Sequence, residues 1–204
     1  IPHAFPRRGL GHPAPTTEVT LKEKPNLLLI TTDTQRCDTL RCMGNASAIS
    51  PNIDRLASEG VMFTQAHTSA PVCMPARSCL ITGLHTPIHG AIENGTTRLT
   101  HFPTFPDLLK EEGYWNIMVG KTHFGEIPAG FDVIIEGEHK DYLKQLGYDP
   151  DDLKVHPTPI PEEHFRETWL VDQTIEQIEM SRKDGRPFFA FCSMPAPLTP
   201  ETPP

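Results

Sequence analysis

The segment Cys73-Met74-Pro75-Ala76-Arg77-Ser78-Cys79-Leu80-Ile81-Thr82-Gly83 sets a thiol one helical turn ahead of a guanidinium. Pro75 suits the first turn of a helix, where a missing N–H costs nothing. A cysteine at that mouth meets the free N–H groups and the positive end of the dipole, which favour a developing anion. Arg77 can fold back as a cation and bidentate donor. Together these residues suit a nucleophile attacking a tetrahedral oxyanion ester. A small buried cysteine in a turn is the plain alternative, and Cys-x-Pro-x-Arg by itself does not separate the two.

Two further sets of side chains could share that chemistry. Asp33 follows the apolar run Asn26–Thr32, and a carboxylate at the C-terminal end of a buried strand is a suitable oxygen ligand for a hard cation. A turn or N-cap role would use the same residue type. Lys121 and His123 alternate within the glycine-bounded Gly120-Lys121-Thr122-His123-Phe124-Gly125, so both can point into one cleft. A solvated loop has the same pattern. The other histidines read as packing or surface residues: Pro87 between His85 and His89 spoils a helical metal pair, and His67, His101, His139, His156 and His164 show no ligand spacing. Asp149, Asp151 and Asp152 lack the glycine and closing glutamate of a calcium loop and read as a solvated turn.

The elements that must position these groups alternate between strand and helix. Asn26–Thr32 reads as a strand buried on both faces of a parallel sheet. Pro51–Ala57 reads as a helix with Ser50 as N-cap and Gly60 closing it. Val61–His67 is expected as a second strand, 75–82 as a helix ending at Gly83, and 106–112 as a helix closed by Gly113. Strands are expected at 114–120, 131–135 and 188–193, with the longest helix at 162–183, where Trp169 and Ile175 read as core. Residues 1–24 carry four prolines with little apolar periodicity and read as a flexible arm. The polar stretch 136–161 reads as an insertion over one face. The order argues for a layered α/β sheet.

Composition removes several function classes. A net charge of −8 gives no support to phosphate-backbone binding, so nucleic acid is not an expected partner. No apolar run approaches the roughly 18 residues of a membrane span. Five cysteines, an odd number at low density, argue against a disulfide scaffold. Reduced cysteines and no visible signal segment favour the cytoplasm over export. The start at Ile1 and the proline-rich end lead us to expect a trimmed chain.

The extended cysteine segment resembles the sulfatase signature, in which the cysteine is oxidised after translation to formylglycine. Three more stretches resemble that family in the same order: Pro25–Ile30 leading into Thr32-Asp33, Ser50–Ala57, and Gly120–Gly125 as a Gly-Lys-x-His-x-Gly segment. The resemblance runs from about Pro25 to Pro200. It implies an alkaline-phosphatase-like fold, a mixed sheet sandwiched by helices, truncated on its C-terminal side, with residues 25–204 as the N-terminal part of the catalytic domain. It further implies a divalent cation, usually Ca²⁺, beside the formylglycine, with Asp33, Thr34 and the matured Cys73 as this chain's share of the metal site. Lys121 would bridge formylglycine and sulfate, His123 would hold or protonate the hydrated aldehyde, and Arg77 would stabilise its charge. The implied partners are a small-molecule or glycan sulfate ester and a formylglycine-generating maturation enzyme.

Three departures qualify the resemblance. Thr34 stands where many members have a second aspartate, and with Ala76 in the signature this resembles the branch holding phosphonate monoester hydrolases. Leu198, in Pro197-Leu198-Thr199-Pro200, stands where members often carry a histidine, and leucine can neither donate a hydrogen bond nor protonate a leaving group. A second metal-binding segment and a second lysine fall beyond residue 204 in the family pattern, so these 204 residues alone are expected to be inactive. Sulfate-ester hydrolysis is the leading expectation. A phosphonate or phosphate monoester hydrolase would use the same site, whereas a non-catalytic remnant predicts an unmodified Cys73 and no metal affinity.

Overall fold

Mostly apolar runs lie at Leu27–Thr31 (β1), Trp115–Gly120 (β2, with the buried amide of Asn116) and Phe188–Ser193 (β4), with a three-residue strand, β3, at Val133–Ile135. Mostly apolar strands, unlike alternating ones, need cover on both faces, which a parallel sheet with helices on each side supplies. The computed structural model describes residues 23–154 and 158–198, and in it these four strands form one parallel sheet in the order β1-β4-β2-β3. The arm expected at 1–24 lies outside the described residues except for its last two, as does His156.

The register fixes which side chains share a face. Leu27 and Leu29 stand opposite Phe189 and Phe191, and Met118 stands opposite Phe191, so these residues line one side. That side is covered by Ile81 from helix α2 (Cys73–Thr82) and Leu109 from α4 (Phe105–Glu111). Ile117, Val119 and Ala190 line the other side and pack against Trp169 and Leu170 of α6 (Arg166–Asp184). The fold is therefore α/β, of the alkaline-phosphatase-like kind expected, and all described strand pairs are parallel.

Helix α1 (Pro51–Glu59) starts at a proline in its first turn. Helix α4 is held by a full capping box between Thr104 and Asp107. A one-turn helix, α3 (Thr86–His89), follows α2.

Three expectations are corrected. Strand β1 is not buried on both faces but lies at the sheet edge with Leu28 and Ile30 more than half exposed, and Ile175 of α6 is 50% exposed rather than core. Residues 61–67 form no strand and pair with none of the described strands; Val61 and Phe63 are 81% and 77% exposed. The stretch 136–161, expected as an insertion over one face, is built around a helix. It contains α5 (His139–Gln145) and buries Leu143 and Ile160, while His139 and Tyr142 pack their rings on Trp169 of α6. All five cysteines are free, and no helix of the described residues is long and apolar enough to cross a membrane.

Candidate active site

The C-terminal ends of β1, β2 and β4 lie side by side, and their connections are stitched together by main-chain bonds. Met194 N–H donates to Thr31 O at 2.8 Å, Asp33 N–H to Ala196 O at 3.0 Å, and Lys121 N–H to Ser193 O at 3.0 Å. Such a row of strand ends is where open α/β sheets bind their ligands. Leu198 belongs to the turn after β4, whose Ala196 carbonyl receives the Asp33 N–H.

Onto this rim α2 projects Cys73, its first residue. The helix has no side-chain cap of its own, since Val72 precedes it. Asn94, from the loop after α3, substitutes: its Oδ1 accepts the Met74 N–H at 3.0 Å. Pro75 removes another of the N–H groups that a helix start leaves orphaned.

Four of the expected residues converge. Cys73 Sγ lies 4.0 Å from both carboxylate oxygens of Asp33 and 3.8 Å from Lys121 Nζ. Lys121 Nζ donates to Asp33 Oδ2 at 2.5 Å, and Arg77 Nη2 stands 3.7 Å from the same oxygen. Asp33 and Arg77 are both buried. Arg77 Nη1 also donates to Lys121 O at 2.7 Å and to Ser193 Oγ at 2.8 Å, so one guanidinium joins the ends of β2 and β4 to Asp33. Burial lowers the Arg77 pKa, and the charges of Asp33 and Cys73 oppose that shift. Lys121 and Arg77 thus face Asp33 beside the thiol and the start of α2, with Glu136 also acting on Arg77, and these donors and the helix start can receive an anion.

His123 lies in the same turn but faces a different cavity, of about 370 Å³, which it lines with Met74, Lys121, Gly125 and Glu136. Its backbone is left-handed, with φ of 46°, and its buried Nδ1 has no partner. Burial lowers the His123 pKa, and the neighbouring charges of Lys121 and Arg77 push it the same way. Thr34, also left-handed with φ of 60°, lines the larger cavity of about 580 Å³ that holds Asp33, Cys73 and Arg77.

Of the other histidines, His85, His89, His139 and His164 have hydrogen-bond partners among the described residues. Buried His89 joins α3 to α2 by pairing its Nε2 with Cys79 Sγ at 3.2 Å, and His85 Nδ1 pairs with Ser69 Oγ at 2.8 Å. The Asp149–Asp152 stretch is a short turn in which the Asp151 N–H donates to Asp149 Oδ1. Asn94 and Ser193 support the site yet carry no signal in the sequence, since each is recruited by a contact distant along the chain.

Residues 25–200 match the family model described as Sulfatase. The chain belongs to the sulfatase family. It is 31% identical to the N-acetylglucosamine-6-O-sulfatase of Bacteroides thetaiotaomicron over 179 residues, covering 86% of this chain and 31% of that protein. It is 30% identical to the N-acetylgalactosamine-6-sulfatase of Mus musculus, covering 80% and 33% respectively. The chain thus spans about one third of the length of the curated relatives it matches. In fold it superposes on the phosphonate monoester hydrolase of Agrobacterium radiobacter with a TM-score of 0.79 at 24% identity, over 88% of this chain and 42% of that one. This sulfatase-family chain therefore places the signature Cys73 and Arg77 together with Asp33 and Lys121 at one sheet rim.

Proposed function

We propose that residues 25–204 contribute the nucleophile-bearing part of a catalytic domain that hydrolyses sulfate esters, with Cys73 as the residue matured to formylglycine. The observation that carries this reading is the convergence of Cys73 and Arg77 from α2, Asp33 from the end of β1 and Lys121 from the end of β2, three separate chain segments. The family match and the named sulfatase relatives support the ester class. A small-molecule or glycan sulfate is the proposed substrate, and a formylglycine-generating enzyme the proposed maturation partner.

Formylglycine, when present, supplies a hydrated aldehyde whose hydroxyl is the attacking oxygen. The chain's own side chains do the rest. Lys121 and Arg77 offset negative charge that grows on the sulfuryl oxygens, and they do so from fixed positions, which is what makes such groups effective. Asp33 keeps both cations oriented: it accepts from Lys121 directly and balances Arg77 at 3.7 Å. His123, whose ring lines the adjoining cavity beside Lys121 and whose pKa burial lowers, is the proposed residue for holding or protonating the hydrated aldehyde.

A divalent cation, calcium in the first place, belongs to this proposal as a family expectation, with Asp33 and Thr34 as its ligands from this chain. Calcium takes about six to eight oxygen ligands. The described residues do not fit a complete shell: Asp33 is the one carboxylate at the thiol, and no group of three His, Cys, Asp or Glu side chains among them could hold a metal ion.

The test is mass spectrometry of the Cys73 peptide from protein co-expressed with a sulfatase-maturing enzyme. An aldehyde or its hydrate at position 73 supports the proposal. An intact thiol, with the maturase shown active on a control sulfatase, would refute it. The fold likeness to a phosphonate monoester hydrolase and Thr34 in the second acidic position favour one competing substrate, a phosphonate or phosphate monoester. Turnover of nitrophenyl sulfate against phenyl phosphonate by the full-length matured protein separates the two.

A further inference from the structure

Lys121 and His123 flank a residue that the reaction does not use. Thr122 is buried, and it spends both its polar groups on one carboxylate: its N–H donates to Glu136 Oε1 at 2.8 Å and its Oγ1 donates to Glu136 Oε2 at 2.5 Å. Both Glu136 oxygens are therefore committed to a single residue of the turn. The sheet register explains how they meet. Val119 of β2 pairs with Ile135 of β3, so Glu136 is the next residue along, beside the point where the chain leaves β2 at Gly120. The turn needs holding. Gly120 has φ of 94° and His123 φ of 46°, so two of its four residues sit in the left-handed region that side chains other than glycine rarely adopt.

We propose that Glu136 is a positioning residue: acting through Thr122, it clamps the Gly120–His123 turn against the sheet so that Lys121 stays over Asp33 and Cys73 and His123 keeps its ring on the adjoining cavity. As a role in catalysis, this rests on the proposed function. Glu136 is 14 residues from Thr122 in sequence, and each of its carboxylate oxygens accepts from that one residue. Its contribution is geometric rather than chemical.

Geometry and charge can be told apart with one conservative change. In Glu136→Gln the amide oxygen still accepts the Thr122 N–H, and the amide NH₂ donates to Thr122 Oγ1, whose hydroxyl reverses its role. The clamp survives while the charge is lost. Glu136→Ala removes the clamp entirely, and Thr122→Val removes its hydroxyl half.

The experiment has an arm independent of turnover. Amide hydrogen exchange of the 120–125 segment should accelerate about tenfold or more in Glu136→Ala and stay near the parent rate in Glu136→Gln. In the full-length matured protein, kcat for nitrophenyl sulfate should fall about 10- to 100-fold in Glu136→Ala with KM little changed, since a misplacement near 1 Å has effects of this size. Glu136→Gln should remain within about threefold, and Glu136→Ala/Thr122→Val should be no worse than Glu136→Ala alone, because both changes break the same clamp. Glu136→Gln as damaging as Glu136→Ala would overturn the proposal in favour of a charge effect. Unaltered exchange in Glu136→Ala would overturn it outright. If the parent turns over neither a sulfate nor a phosphonate ester, the functional reading fails, and the exchange arm still decides whether the clamp exists.

Discussion

Gly120→Ala should be among the most damaging single-methyl additions in the protein. Two effects combine. The residue holds φ of 94°, and a non-glycine residue in such a sparsely populated region costs about 1–3 kcal/mol. A Cβ built there would also sit 2.1 Å from Ser193 O and 3.0 Å from its carbonyl carbon, both backbone atoms that no rotamer change can move. A carbon and an oxygen rest at about 3.3 Å or more, so the end of β4 must retreat by about 1 Å. That carbonyl accepts the Lys121 N–H at 3.0 Å, and losing a bond of this kind costs about 1 kcal/mol. The sum is about 2–4 kcal/mol before the collision itself is counted. Gly113→Ala is the matched control: φ is 81°, yet no heavy atom lies within 4 Å of the added carbon, so it carries backbone strain of about 1–2 kcal/mol without the collision. Urea denaturation of both variants at one temperature, with m-values compared to confirm two-state behaviour, isolates the difference. Equal destabilisation of the two, within about 0.5 kcal/mol, would refute the close approach of β2 to Ser193 on which the placement of Lys121 depends.

Other consequences are as direct. Arg77→Lys keeps the charge but cannot reach Lys121 O and Ser193 Oγ together, and should lower stability by about 2 kcal/mol in the same urea assay. Asn94→Ala removes the side-chain acceptor at the start of α2 and should cost about 1 kcal/mol, with no change expected in the far-UV signal of the rest of the fold. Lys121→Met leaves buried Asp33 with only Arg77 as a counter-charge, and should reduce sulfate-ester turnover by the full-length matured protein about 100-fold or more. His89 is buried, burial lowers its pKa, and its Nδ1 accepts the Ala91 N–H, so the folded form resists the proton that the unfolded chain takes up below about pH 6.5. Stability from this group is complete above that pH and declines as the pH falls towards the folded pKa; His123 and His139 act with the same sign. The urea midpoint should therefore drop between about pH 7.5 and 5.5, and His89→Gln should flatten the slope.

How far the fold could be read in advance depended on whether local pattern and long-range contact agreed. β1, β2 and β4 were legible because mostly apolar runs have few other solutions, and α1 and α2 because Pro51 and Pro75 mark first turns and Gly60 and Gly83 follow the last. At 61–67 the apolar Val-Met-Phe start misled: a short apolar run fits a strand only where a partner strand pairs with it, and none of the described strands does. Helix α5 was missed because seven residues with a glutamate N-cap that makes no side-chain bond carry little local signal; its anchor is Leu143 together with rings that meet Trp169 from across the chain. The site divides in the same way. Cys73, Arg77, Asp33 and Lys121 stand out by type and spacing, whereas Asn94, Ser193 and Glu136 are ordinary residues until the sheet register brings them into contact.

The edge of the sheet has a practical consequence. β1 pairs with β4 on one side and with no described strand on the other, and its second face leaves Leu28 53% and Ile30 59% exposed beyond the reach of α6. An uncharged Leu-Leu-Leu-Ile-Thr segment with open main-chain groups is a template for adding foreign strands. In a preparation containing only these residues, self-association would begin at this strip. Its flanking charges, Lys24 and Asp33, are already engaged with Glu112 and Lys121 and so are poorly placed to act as gatekeepers against it. Solubility, more than folding, would then limit work on the isolated chain, and a lysine at position 30 would relieve it without disturbing the residues around Cys73.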